Sequence, residues 1–73
     1  MIDERYIVPN SSNIESFAYS PTRSVLTIEF KGGATWEYDQ VERQLFEDMK
    51  LAESKGSFFQ SRVRKAYIGR RIK

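Results

Sequence analysis

The sequence predicts an α+β fold: a three- to four-stranded antiparallel meander packed against one long and one short C-terminal helix. Three observations predict it. Residues 25–30 alternate, with Leu26, Ile28 and Phe30 on one side and Thr27 and Glu29 on the other. Residues 34–38 alternate again, with Trp36 and Tyr38 opposite Thr35 and Glu37, and the intervening Lys31-Gly32-Gly33 is the chemistry of a tight reversal. From residue 41 onward the apolar period becomes helical.

Each element follows from its residues. Residues 1–11 form an arm or an edge strand: Arg5-Tyr6-Ile7-Val8 is β-prone, Pro9 stops it, and Asn10-Ser11-Ser12-Asn13 is turn chemistry. Residues 14–20 make a short strand, ended by Ser20-Pro21-Thr22-Arg23 with proline at the second turn position. Asp39 is placed to cap a helix over about residues 41–53, whose Val41, Leu45, Phe46, Met49 and Ala52 form one apolar stripe. Ser54-Lys55-Gly56 breaks that helix. Ser57 with Gln60 reads as the capping box of a second, which Phe58, Phe59, Val63 and Tyr67 would press onto the core. Gly69 ends it, and residues 70–73 trail out as a basic tail beyond a domain of residues 12–69.

Composition restricts function. Seventy-three residues make one domain, and such a chain buries only about 60% of its surface. Its core therefore draws on five Phe, four Tyr and one Trp. The chain has no Cys and no His, which removes thiolate and imidazole catalysis, disulfides and the usual zinc sites. No catalytic residue, metal or cofactor is expected. No stretch approaches the roughly 20 apolar residues of a membrane span. The opening Met1-Ile2-Asp3-Glu4-Arg5 lacks the pattern of a secretory signal, so a cytoplasmic, monomeric protein of a bacterial cell is expected.

The net charge of +2 conceals an asymmetry. Residues 1–53 hold ten acids and five bases, −5, whereas residues 54–73 hold seven bases and no acid, +7. The basic end (Arg62, Arg64, Lys65, Arg70, Arg71 and Lys73) is a candidate surface for nucleic-acid phosphates or an acidic protein. Arg5, Tyr6, Ile7 and Val8 are candidate contacts to a protein partner through edge pairing. Tyr19, Trp36 and Tyr38 are either a stacking platform for bases or core residues under the helices.

The order of residues resembles the KTSC domain family, named for the C-terminus of some lysyl-tRNA synthetases. The resemblance rests on Ser12-Asn13-Ile14, Ala18-Tyr19, Leu26-Thr27-Ile28-Glu29-Phe30 and Gly33, then Ala52-Glu53-Ser54-Lys55-Gly56, Phe58-Phe59, and Arg64 to Tyr67. It spans roughly residues 11–71. The family's central Tyr-x-Tyr is here Trp36-Glu37-Tyr38, which keeps the stacking area and loses one phenolic hydroxyl. Its Val-Pro before the first helix is here Val41-Glu42, which suits a helix N-terminus electrostatically. The resemblance implies RNA binding. The free-standing length also resembles a small phage regulator that binds host RNA polymerase near its RNA exit region, inhibiting initiation and allowing terminator readthrough. That likeness implies RNA polymerase as a protein partner, with RNA or DNA at the basic end. A small structural or oligomeric phage protein is the remaining alternative.

Overall fold

The computed structural model describes residues 4–9 and 13–73. The first three residues of the expected arm, and Asn10, Ser11 and Ser12 of the expected turn, lie outside the described residues. The elements run β1 (Glu4–Ile7), β2 (Ile14–Ser20), β3 (Val25–Phe30), β4 (Thr35–Tyr38), α1 (Arg43–Leu51), α2 (Lys55–Phe58), a π-helical continuation of α2 (Phe59–Arg64) and β5 (Gly69–Arg71). The class is α+β as expected. The sheet has five strands in the order β1-β2-β3-β4-β5, and every neighbouring pair is antiparallel.

The fifth strand corrects the expected basic tail. Residues 69–71 pair with β4, placing Gly69 opposite Tyr38, Arg70 opposite Glu37 and Arg71 opposite Trp36. The amides of Ile72 and Lys73 donate to the Thr35 carbonyl at 2.9 and 3.3 Å. The open edge of β4 supplies the donors and acceptors that hold this short segment.

The registers join into rows across the sheet. Tyr6, Phe17, Ile28, Trp36 and Arg71 share the face toward the helices, while Arg5, Ala18, Thr27, Glu37 and Arg70 share the opposite face. A register shift between Ile14 and Ser16 lets Ile14 turn inward like Phe17 despite their odd spacing. The β3–β4 reversal requires its glycines, because Gly32 (φ 99°) and Gly33 (φ 102°) occupy a region that side chains disfavour.

The inner face carries two aromatic groups. Phe46 of α1 stacks on Tyr19 and meets Phe17 edge-on, both at 5.6 Å, and Tyr6 stacks on Phe17 at 5.2 Å. Phe59 meets Phe30 and Tyr38 edge-on at 5.3 and 5.6 Å. Burying each such ring contributes about 1.5–3 kcal/mol. Arg43 of α1 pairs with Glu4, tying the helix to the first strand.

Both helix starts differ from expectation. Asp39 caps nothing: Gln40 is left-handed (φ 58°) and Val41, fully buried, donates its amide to the Ser24 carbonyl at 2.9 Å. The chain is thereby held extended, and the helix begins only after Glu42, which offers no side-chain cap. At the other end Lys55 Nζ donates to the carbonyls of Lys50 and Ala52 at 3.0 and 2.5 Å, satisfying groups that the end of α1 leaves open. Ser54, rather than Ser57, caps the second helix, its Oγ accepting from the Ser57 amide at 3.2 Å. Helix therefore begins within the Ser54-Lys55-Gly56 segment expected to be a break.

Candidate functional site

Local alternation puts Trp36 and Tyr38, two residues apart on β4, on the same side of the sheet, their rings 6.4 Å apart and 20° from parallel. Tyr38 is buried, and Trp36 packs against the core with part of its ring still exposed. The π-helical segment runs alongside and presents Gln60 and Arg64, while Tyr67 closes the far side. A cleft of about 330 Å³ lies between these residues, with Phe30 and Phe59 behind it. Gly69 of β5 borders it, because a carbon attached there would stand 2.3 Å from Tyr38 Cε2.

The polar rim is donor-rich. Arg64 Nη1 donates to Gln60 Oε1 at 3.1 Å. Burial pushes the Tyr38 phenol above its ordinary pKa, and the Arg64 charge opposes that shift. Among the described residues, no carboxylate lines the cleft. Arg71, directly opposite Trp36 in the β4–β5 register, adds a second cation on the same face.

The structure thus brings the aromatics Trp36 and Tyr38 into one cleft with Arg64, and sets Arg71, whose Nε donates to the Lys73 carbonyl at 3.0 Å, opposite Trp36 in the strand register. It separates others from them. Tyr19 is a core residue, its ring under Phe46 and its hydroxyl donating to the Val41 carbonyl at 2.7 Å. Helix α1 covers its face, so it offers no platform to a base. Arg70 points to the opposite face, where Asp39 and Glu37 bind it and hold its pKa above the ordinary value. It is therefore an internal ion-pair partner rather than an open phosphate contact. Arg62 lies 5.2 Å from the centre of the Phe58 ring. Lys65 and Lys73 are exposed.

The proposed protein contacts divide similarly. Arg5 reaches Glu29 at 3.2 Å, Tyr6 packs on Phe17, and Val8 is buried. Ile7 is 56% exposed at the edge of the sheet, and it alone of these three apolar residues faces outward. Gln60, Tyr67 and Gly69 belong to the site although their local sequence points only to capping, core and helix termination. The π-helical segment brings Gln60 to the cleft, and the pairing of β5 with β4 brings Gly69. Among the described residues, no group of three or more acidic side chains is placed to hold a metal ion, and no helix is long and apolar enough to cross a membrane.

Comparison with known proteins adds a family context. A family model described as the KTSC domain matches residues 10–67. A protein of Tsukamurella paurometabola is 44% identical over 48 residues, covering 66% of this chain and 72% of that protein. A lysine–tRNA ligase of Nostoc is 39% identical over 51 residues, 70% of this chain but only 9% of the ligase. The crystal structure of a KTSC domain protein from Yersinia pestis matches 99% of this chain and 100% of that one, with a TM-score of 0.87 and 32% identity.

Proposed function

The chain belongs to the KTSC domain family, and from that premise we propose that it is a non-catalytic module that binds single-stranded RNA in the cleft beside β4. The observation that carries this reading is the partly exposed Trp36 ring in a cleft lined by Arg64, with Arg71 opposite it in the strand register. An aromatic face accepts any base and contributes about 1–3 kcal/mol per stacked base, while guanidinium groups bind phosphate through charge-assisted hydrogen bonds. A lysine–tRNA ligase, named for a reaction on tRNA, contains a segment similar to this chain, and this supports the choice of RNA.

Trp36 is the only tryptophan, so its emission reports directly on the site. Titration with single-stranded RNA is expected to quench it, with an affinity that falls as salt is added. Emission and electrophoretic mobility unchanged at micromolar protein would overturn the reading.

The exposed Ile7 on edge strand β1 favours a second reading, docking of a protein partner by strand addition. Host RNA polymerase is the partner for this reading, with regulation of initiation or termination as the outcome. Tagged protein should then recover polymerase subunits from a bacterial lysate, and Ile7→Asp should abolish the recovery. Absence of polymerase from the recovered material removes this reading.

A further inference from the structure

Resting on the RNA-binding reading, we infer that the cleft takes a single unstacked nucleotide, with its base on Trp36, a base carbonyl at the Gln60 amide and its phosphate between Arg64 and Arg71. The count of platforms sets the number of bases. Sheets that carry a run of bases present successive exposed aromatics along their surface. Here Phe17 and Tyr19 are 1% and 3% exposed beneath α1, and Tyr6 is covered by Phe17 and by Lys55, whose Nζ lies 5.5 Å from its ring centre. Trp36 and Tyr67, both partly exposed, line one cleft, which gives a single base its stacking contacts. The cleft volume, about 330 Å³, lies near the lower end of small-ligand pockets, which span about 300–1,000 Å³.

The rim selects the base. Arginine only donates, so the Gln60 atom facing Arg64 is the amide oxygen, and the exposed NH2 group is left to meet a ligand. Glutamine normally reads adenine with both amide atoms at once. With one lone pair of its oxygen taken by Arg64, Gln60 presents chiefly its NH2 donors, which match a base carbonyl, a group carried by uracil, guanine and cytosine and absent from adenine. Among the described residues, the cleft lining has no carboxylate to receive the adenine amino group.

Competition and base preference test the inference on the full chain. A short oligo-uridylate is titrated against Trp36 emission, followed by displacement with uridine monophosphate at millimolar concentration, and the series is repeated with oligo-adenylate. Displacement by the monophosphate and about fivefold tighter binding of oligo-uridylate, the worth of one hydrogen bond, are expected. Gln60→Ala, an exposed change whose folding circular dichroism checks, should erase the preference. If oligonucleotides quench Trp36 but the monophosphate never displaces them and affinity climbs with each added base, the site is a multi-base track. The one-nucleotide inference then falls while RNA binding stands. Equal or tighter adenylate binding removes the assigned role of Gln60 and overturns the inference in that form. If no oligonucleotide binds, both readings fall together.

Discussion

The Tyr38 ring lies against Gly69 so closely that a carbon added to the glycine would stand 2.3 Å from Cε2 and 2.8 Å from Cδ2 and Cζ. The two residues are partners in the β4–β5 register, and both line the cleft. Gly69→Ala forces either the ring or the short β5 strand aside. Overpacking of this kind costs about 1–3 kcal/mol, so the urea midpoint should fall and RNA affinity should fall with it. An unchanged midpoint would mean that Tyr38 swings away freely.

Neighbouring arginines on β5 should behave oppositely. Arg70 faces Glu37 and Asp39, and Arg71 faces the Trp36 side. Arg70→Ala is expected to lower stability modestly, most visibly at low salt, without changing the salt slope of RNA binding. Arg71→Ala should leave stability intact and reduce that slope by about 0.7, the share of one phosphate contact on a single strand. Thermal melts and salt-dependent titrations of both variants separate these effects, and matching behaviour would contradict the assignment of faces.

Tyr19→Phe isolates structure from binding. Its hydroxyl satisfies the Val41 carbonyl, and both groups are buried. Losing that donor should cost about 1–3 kcal/mol in urea unfolding. Quenching of Trp36 by RNA should be unaffected, because Tyr19 lies under α1. A variant of normal stability would mean that the Val41 carbonyl does not depend on this donor.

Tyr38 gives the fold an alkaline limit. Burial raises its phenol above the ordinary value of 10.0. Above that value the unfolded chain sheds the proton first, so the unfolded state binds fewer protons and stability declines with pH. The contribution is complete below 10.0 and is lost as pH rises through the higher folded value. Urea midpoints from roughly pH 9 to 11 should decline less steeply in Tyr38→Phe than in the parent chain. Identical slopes would place the titration elsewhere.

The sequence by itself determined the α+β class, the inward faces of β3 and β4, and the central apolar helix. These properties depend on periodicity within a few residues, and Leu26, Ile28, Leu45, Phe46 and Met49 are all buried as their spacing requires. It also supplied the components of the candidate site, an aromatic pair at Trp36 and Tyr38 and a cluster of C-terminal cations. Tertiary structure alone decided how those components combine. Gly69-Arg70-Arg71 has too few residues and too little apolar pattern to announce a strand, and its partner lies more than thirty positions earlier in the chain. That pairing diverts Asp39 from a helix cap to Arg70 and brings Arg71 to Trp36. Only the antiparallel register fixes which cations are neutralised and which remain open, because successive strand residues face opposite sides.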